Sequence, residues 1–211
     1  MTKVQNLIRG YRRFYEKYFA SGDTLYQELS SVGQSPKTLI IACSDSRVDP
    51  ATLTDAEPGD IFVLRNVANL VPPYASGSKA LHGVSAGLEF ATTILNVEHI
   101  IILGHSQCAG IQTLLNPKGT QETDFIGKWV EIAKPARDKA IQHGGANADP
   151  DKIQHLCEKE AIQLSLQNLM TFPWIKERVE SGTLKLHGWY FSVSDGTMQQ
   201  YNPQTGNFEN V

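Results

Sequence analysis

The chain of 211 residues carries a formal net charge of −3 at pH 7, and 41% of its residues are hydrophobic and 19% are charged. This composition is typical of a globular protein, so we predict a single domain over residues 1–211, with a helical arm at 1–30 and an α/β core at 38–200. The slightly acidic balance argues against nucleic acid or a membrane as a partner.

Residues 1–30 show an amphipathic helical pattern, because apolar and aromatic side chains recur in them at spacings of three and four. The members of this stripe are Leu7, Ile8, Tyr11, Phe14, Tyr15, Tyr18 and Phe19. The pattern predicts an N-terminal helical arm. Its apolar face fits the core of the same chain and the surface of a second subunit equally well, and the sequence leaves both alternatives open.

Short, continuous apolar runs follow the arm, and such runs are typical of strands that are buried on both faces. We predict strands at 38–42, 60–64, 98–103 and 183–193. Helical patterns lie between them, at 78–95, 109–115, 125–142 and 151–170. Strands that alternate with helices form a mostly parallel central sheet flanked by helices, so we predict an α/β fold.

Three potential metal ligands lie directly after two of the predicted strands. Cys43 follows the first strand, and His105 and Cys108 follow the third. Ligands of open parallel sheets bind at the carboxyl ends of the strands, so these side chains converge if the two strands are neighbours. Two thiolates and one imidazole suit Zn²⁺, and three protein ligands leave the fourth position open, as in catalytic zinc sites.

Each of these residues also has a plainer interpretation. Taken alone, Cys43 is best read as a buried core thiol and His105 as an ordinary loop histidine. The combination with Cys108, and with Asp45 and Arg47 beside Cys43, favours the metal site over both alternatives.

Three segments together resemble the signatures of the β-class carbonic anhydrases. They are CSDSRV at 43–48, RNVAN at 65–69 and GHSQC at 104–108, and LHGWY at 186–190 is similar to the last strand of that family. The similarity covers nearly the whole chain in order and spacing. It implies a zinc enzyme that reversibly hydrates carbon dioxide to bicarbonate and a proton, and that assembles as a homodimer or homotetramer.

The resemblance also implies roles for individual residues. Cys43, His105 and Cys108 would hold one zinc ion, and zinc hydroxide would be the nucleophile. Arg47 would pair with Asp45, keeping this carboxylate ionised and off the metal. Asp45 would then accept a hydrogen bond from the zinc-bound water or hydroxide and orient it.

Two further residues would contact the substrate. Gln34 lies where the family places a glutamine that faces the substrate, although an exposed loop residue is the plain alternative. The backbone N–H of Ala109, where the family usually has glycine, would meet a substrate oxygen. Because two thiolates formally cancel the charge of zinc, we expect the bound water to be less acidic than in a three-histidine site, and activity to rise toward alkaline pH.

Some β-class members carry an inhibitory bicarbonate site built from a tryptophan, an arginine and a tyrosine. The corresponding residues here are Ile40, Arg65 and Phe191, so only the arginine is retained. We therefore expect the subtype that lacks this allosteric site. Arg65 and Asn66 have a structural alternative, which is to tie the end of the second strand to neighbouring backbone.

The remaining thiol and histidines have plainer predicted roles. Cys157 falls on the apolar stripe of a predicted helix, and we interpret it as a core thiol. Five histidines have no cysteine or carboxylate at ligand spacing: His82, His99, His143, His155 and His187. Three cysteines do not make a disulfide framework, and no apolar run reaches the ~18 residues of a membrane span, so we expect a cytoplasmic protein.

Two other functions stay open at this point. The same zinc site could hydrolyse carbon disulfide or carbonyl sulfide, which are linear relatives of carbon dioxide, and the shape of the pocket would decide this. Alternatively, the chain could be a zinc-stabilised scaffold without activity. The pair of Asp45 and Arg47 argues against a scaffold, because a structural site has no use for a polar pair at an open position.

Overall fold

The computed structural model describes residues 2–76, 82–116, 123–145 and 147–211. Within these ranges, six strands form one sheet in the order β2-β1-β3-β4-β5-β6. The strands are β1 (Thr38–Cys43), β2 (Ile61–Asn66), β3 (His99–His105), β4 (Lys185–Phe191), β5 (Met198–Asn202) and β6 (Asn207–Asn210). The first four pair in parallel, and β5 and β6 are added antiparallel. The predicted α/β fold with a mostly parallel sheet is confirmed.

Helices flank the sheet and precede it. They are α1 (Lys3–Tyr15), α2 (Leu25–Val32), α3 (Pro50–Thr54), α4 (Gly83–Glu89), α5 (Ala109–Leu115), α6 (Ile126–Val130), α7 (Lys134–Gly144), α8 (Pro150–Leu169) and α9 (Pro173–Glu180). Short π-helical segments extend α1 and α4, at Glu16–Ala20 and Phe90–Ile94. Among the described residues, no helix combines the length and the apolar character needed to cross a bilayer.

Both faces of the central strands are buried, which explains their continuous apolar sequences. Leu39 and Ile41 of β1 face one core cluster, together with Ile100 and Ile102 of β3. Their sequence neighbours Ile40, Ala42, Ile101 and Leu103 belong to a cluster on the opposite face. Because side chains alternate along a strand, a strand covered on both sides needs apolar residues at successive positions.

Two glycines of the sheet make room for helix α8. A Cβ at Gly104 of β3 would lie 2.7 Å from Ile162 Cδ1, and one at Gly188 of β4 would lie 2.8 Å from Ile162 Cγ2. Ile162 is completely buried. The absence of side chains at these positions thus lets α8 pack onto β3 near its end and onto the middle of β4.

The N-terminal arm forms the predicted helix, which a capping box at Thr2 and Gln5 starts. Its aromatic residues contact one another and α2, with Phe14 5.3 Å from Tyr26 between ring centroids. The outward side stays exposed, since Leu7 is 74% and Tyr11 62% accessible. Leu7 and Tyr11 therefore do not pack on the core of their own chain, which was one of the two alternatives for this face.

Several predicted boundaries were wrong. The single helix predicted at 125–142 is broken into α6, a 3₁₀ turn at Glu131–Ala133 and α7. Pro135 explains the break, because it lies in the first turn of α7, where a missing N–H and a fixed φ favour starting a helix over continuing one.

Other predicted elements were shifted or missed. The strand predicted at 183–193 is shorter, at Lys185–Phe191, and the sheet continues into β5 and β6, which have polar sequences. The helix predicted at 78–95 is observed from Gly83 as α4 with its π-helical extension, and its predicted start lies outside the described residues. Cys43 and His105 are the last residues of their strands and do not follow them.

Candidate metal centre

The centre lies where two neighbouring strands end. Strands β1 and β3 are paired in parallel, so Cys43 at the end of β1 and His105 at the end of β3 emerge at the same edge of the sheet. After His105 the chain turns through Gln107, whose φ of 57° is left-handed. This turn brings Cys108, the N-cap residue of α5, back to the same edge.

The three side chains converge on one buried point. The potential ligand atoms of Cys43, His105 and Cys108 all lie within 4.8 Å of one another. Their residues are 5%, 1% and 1% exposed. The two sulfur atoms are 3.9 Å apart, far beyond the ~2.05 Å of a disulfide. Two Zn–S bonds of about 2.3 Å in a tetrahedron would separate the sulfurs by about 3.8 Å, so the observed spacing fits zinc.

The imidazole of His105 is oriented for binding a metal through one nitrogen. Its Nδ1 lies 2.8 Å from the carbonyl oxygen of Ser106, so Nδ1 carries the proton and donates it there. The other nitrogen, Nε2, is buried and has no hydrogen-bond partner among the described residues. A buried polar atom without a partner is costly, and a metal ion in the centre would satisfy it.

The two thiols do not ionise independently. The hydrogen bond from Cys108 lowers the pKa of Cys43, and His105 adds to this effect. The neighbouring Cys43 in turn raises the pKa of Cys108, as does its burial. One thiolate therefore forms readily, whereas a second negative charge 3.9 Å away needs a cation to stabilise it.

Asp45 and Arg47 form the predicted pair beside the ligands. Arg47 donates from Nε to Asp45 Oδ1 at 3.0 Å and from Nη2 to Oδ2 at 2.8 Å, and its backbone N–H donates to Oδ1 at 2.9 Å. This two-pronged contact holds the pKa of Asp45 well below its usual range. Asp45 is therefore ionised at neutral pH, and the structure brings it to the same sheet edge as the ligands.

Arg65 and Asn66 tie this edge together. Arg65 donates to the carbonyl oxygens of Cys43, at 3.0 Å, and of Asp45, at 2.6 Å, and to Asp49 Oδ2 at 3.0 Å. The side chain of Asn66 bonds both the N–H and the carbonyl of Leu70. These contacts agree with the structural alternative for both residues, which is to tie the end of β2 to neighbouring backbone: Arg65 reaches the end of β1, and Asn66 holds the turn that follows β2.

One buried acid at the centre was not predicted. Glu158 of α8 is 3% exposed, and its Oε1 accepts a hydrogen bond from the backbone N–H of Cys108 at 2.9 Å. Burial raises its pKa, while the hydrogen bonds from Cys108 and Tyr190 oppose that rise. The available signal in the sequence was a charged residue next to Cys157, on a helix whose buried positions are otherwise apolar or small.

The two residues predicted to contact the substrate are exposed, unlike the three buried candidate ligands. Gln34 lies in the exposed loop between α2 and β1, and Ala109 is the exposed first residue of α5. The roles of both residues stay predictions.

The remaining thiol is a core residue, as predicted. Cys157 is fully buried within an apolar cluster that includes Ala161 and Ala140. Burial raises its pKa to about 12.

Four of the other histidines have identified partners. His99 Nδ1 lies 3.0 Å from His187 Nε2, His155 Nδ1 lies 2.9 Å from the Tyr190 hydroxyl, and His143 Nδ1 lies 3.4 Å from Glu160. The cluster of potential metal ligands found in the described part of the chain consists of Cys43, His105 and Cys108 and contains none of these histidines. With three ligands and a polar pair alongside, it has the composition of a catalytic metal centre.

Comparison with known proteins agrees with this architecture. Residues 38–198 match the family model described as carbonic anhydrase. Over 177 residues the chain is 42% identical to "Beta carbonic anhydrase 5, chloroplastic" of Arabidopsis thaliana. The aligned region covers 83% of this chain and 57% of the length of that relative.

Solved structures agree as well. The β-carbonic anhydrase CcaA is 34% identical, with a TM-score of 0.92 and full coverage of both chains. A structure from a report on two tetrameric β-carbonic anhydrases of the filamentous ascomycete Sordaria macrospora is 26% identical, with a TM-score of 0.73 and coverage of 99% of this chain and 93% of the other.

These matches assign the family. The family model spans well over half of the chain, and the chain belongs to the β-class carbonic anhydrases. The class consists of lyases that catalyse the hydration of carbon dioxide, so the predicted enzyme class is confirmed at the level of the family.

The environment of Cys157 leads to a prediction about its reactivity. A thiol with a pKa of about 12 is almost entirely protonated at pH 8, and the thiolate is the reactive form. We expect iodoacetamide to alkylate Cys157 at least about 100-fold more slowly in the native protein than in urea, as measured by peptide mass spectrometry. The urea sample is the control, and equal rates in both samples would contradict the placement of this thiol in the core.

Proposed function

We propose that the chain binds one zinc ion through Cys43, His105 and Cys108 and catalyses the reversible hydration of carbon dioxide to bicarbonate and a proton. The observation that carries this proposal is the convergence of three buried ligand atoms with an ionised Asp45–Arg47 pair at one sheet edge. Membership of the β-class supports it. Bound here, zinc would supply a Lewis acid that lowers the pKa of a water molecule.

The chain's own residues would orient that water. Asp45 Oδ1 already accepts two hydrogen bonds from Arg47, whereas Oδ2 accepts one. A carboxylate oxygen has about two acceptor positions, so Oδ2 retains one for a donor in the site. Because Arg47 keeps Asp45 ionised, Asp45 can only accept hydrogen bonds. A water molecule bonded to Asp45 must therefore donate a proton to it, and the lone pairs of that water point away from the carboxylate.

The roles of the residues around the substrate complete the proposal. Gln34 and the backbone N–H of Ala109 would bind the oxygens of carbon dioxide or bicarbonate, as the family resemblance implies. Both residues are exposed, which leaves them accessible to a small substrate. A cytoplasmic location stays a prediction.

Asp45→Asn provides the direct test of the activity. Asparagine has nearly the same shape, but its amide nitrogen is a donor and its uncharged oxygen is a weaker acceptor. We expect the rate of carbon dioxide hydration by the zinc-loaded variant, measured by stopped flow, to fall by about 100-fold or more relative to wild type.

Asp138→Asn is the matched control for this experiment. Asp138 is an aspartate of α7 whose side chain is 56% exposed and pairs with its neighbour Arg137. We expect this variant to keep the wild-type rate. Equal and negligible rates for wild type and for Asp45→Asn, with zinc bound to both, would favour the inactive scaffold.

We also propose that bicarbonate does not switch this chain off through an allosteric site. Ile40 is 1% exposed inside the sheet and offers no side-chain donor, and Phe191 lacks a hydroxyl. The three guanidinium nitrogens of Arg65 already donate to Cys43, Asp45 and Asp49. These bonds use three of the five guanidinium N–H groups and hold Arg65 against the protein, and neither Ile40 nor Phe191 adds a donor that could complete a bicarbonate site with it.

The kinetics of the reverse reaction test this proposal. We expect the rate of bicarbonate dehydration to rise hyperbolically with bicarbonate concentration, because one site then governs the rate. The measurement is the initial rate over a wide concentration range at constant ionic strength and pH. A sigmoidal curve, or a rate that falls at high bicarbonate, would rule the proposal out.

We further propose that residues 1–211 act as one domain and assemble as a homodimer or homotetramer through the arm. The outward face of α1 exposes Val4, Leu7, Ile8, Tyr11 and Tyr15, each between 47% and 74% accessible. A contiguous apolar surface of this kind is typical of an interface. The tetrameric relatives from Sordaria macrospora support an oligomer of this chain.

A substitution on the exposed face tests the role of the arm. Leu7→Asp places a charge in the proposed interface while leaving the core of the subunit intact, because Leu7 is 74% exposed. We expect light scattering to give a smaller mass for this variant than for wild type at the same concentration. Arg12→Asp, at another exposed position on the same helix, is the control. If Leu7→Asp keeps the wild-type mass, the arm is not the interface.

A further inference from the structure

We propose that Glu158 is a positioning residue of the metal centre, which holds the ligand Cys108 in place from behind and connects it to the Asp45–Arg47 pair. The inference rests on the proposed function in one respect, namely that Cys108 is a metal ligand. It concerns a buried carboxylate on α8, outside the three ligands and the pair.

Glu158 is held by donors on both of its oxygens. Oε1 accepts from the backbone N–H of Cys108 at 2.9 Å and from Gln154 Nε2 at 3.0 Å, and Oε2 accepts from the Tyr190 hydroxyl at 2.8 Å. Glu158 is 3% exposed and Tyr190 2%. A carboxylate buried this deeply is costly unless its oxygens are satisfied, and these three bonds satisfy them.

Tyr190 is itself fixed by a further contact. Its single hydroxyl proton is donated to Glu158, so the bond of 2.9 Å to His155 Nδ1 requires the histidine to be the donor. The two rings meet edge to face at 90°. Lys159 Nζ lies 5.0 Å from the centre of the Tyr190 ring. The orientation of Glu158 is thus set by residues of α8 and β4.

The peptide group between Gln107 and Cys108 connects this cluster to the catalytic pair. Its N–H belongs to Cys108 and donates to Glu158, and its carbonyl oxygen belongs to Gln107 and accepts from Arg47 Nη2 at 3.3 Å. One peptide plane is therefore held at both ends, by the buried acid on one side and by the arginine of the pair on the other. Rotation of this plane would strain both hydrogen bonds, so the position of Cys108 is coupled to that of Arg47.

The local backbone makes such a restraint necessary. Gln107 has a left-handed φ of 57°, which a residue with a side chain adopts only when its surroundings impose it. Cys108 follows directly and is the N-cap residue of α5. The hydrogen bond to Glu158 stabilises this turn at the point where the ligand must face Cys43 and His105. Partners of this kind around metal ligands typically change metal affinity by about 10–100-fold.

Glu158→Gln and Tyr190→Phe test the inference. Glutamine keeps the size of Glu158 but turns one acceptor into a donor, and phenylalanine removes only the hydroxyl that orients Glu158. We expect zinc to dissociate to a chelator about 10-fold faster or more from Glu158→Gln, and faster by a smaller factor from Tyr190→Phe. We also expect the thiolate-to-cobalt charge-transfer band of the cobalt-substituted protein to shift in Glu158→Gln.

Ser165→Ala is the matched control, because Ser165 is a buried polar residue of the same helix that bonds Asn69 and Val71 and not the ligands. It should lose thermal stability without changing the zinc dissociation rate or the cobalt spectrum. Wild-type zinc dissociation and an unshifted cobalt band in Glu158→Gln would overturn the inference, whatever its melting temperature. If Glu158→Gln does not fold, an unchanged zinc dissociation rate in Tyr190→Phe overturns it.

The outcome is separable from that of the proposed function. Zinc dissociation and the cobalt spectrum are measured without carbon dioxide. Suppose that zinc dissociates slowest from wild type, faster from Tyr190→Phe and fastest from Glu158→Gln, but that zinc-loaded wild type does not hydrate carbon dioxide. This result would support the role of Glu158 and contradict the proposed activity.

Discussion

The pairing of β1 with β3 is the constraint on which the rest of the centre depends. Cys43 and His105 are 62 positions apart in the numbering, and they meet only because two parallel strands lie side by side and end at the same edge. Parallel neighbours require a crossover, and β2 and α4 lie in the segment that makes it. The sheet is buried on both faces, because both strands have continuous apolar sequences and because two glycines let α8 pack onto it. The polar side chains of the centre therefore lie at the edge where the strands end.

Charge compensation determines what that edge can hold. Two thiols and an imidazole nitrogen that has no partner in the described part of the chain favour a cation, because the second thiolate is otherwise opposed by the first. The negative charge of the Asp45 carboxylate beside them is already balanced by Arg47, so Asp45 needs no metal ion to stabilise it. Cys43, His105 and Cys108 are thus suited to bind a metal ion, whereas Asp45 is suited to accept a hydrogen bond. Arg65 keeps the two groups at a fixed distance by bonding the backbone of Cys43 and of Asp45.

The sequence predicted the parts of this arrangement that repeat a simple physical pattern. The buried strands have continuous apolar residues, and the three candidate ligands and the Asp45–Arg47 pair lie at or just after the ends of β1 and β3, so the sequence pattern was enough to predict that they converge. Strands β5 and β6 were missed because they are polar and gain their stability from pairing with β4 and with each other. The break before α7 depends on one proline within a helical pattern. Glu158 was missed because its partners, Cys108 and Tyr190, are 50 and 32 positions away, and only the fold brings them together.

The peptide between Gln107 and Cys108 explains why a buried acid can matter to an exposed pair. Arg47 has a side chain that is 43% exposed, and a long exposed side chain has many accessible conformations. Its bonds to Asp45 restrict these conformations, and the contact with the carbonyl of Gln107 restricts them further as far as that carbonyl is itself fixed. Glu158 fixes it through the N–H of the same peptide, and Tyr190 and Gln154 fix Glu158. The core between α8 and β4 therefore adds to the rigidity that Arg47 gains from its own bonds to Asp45.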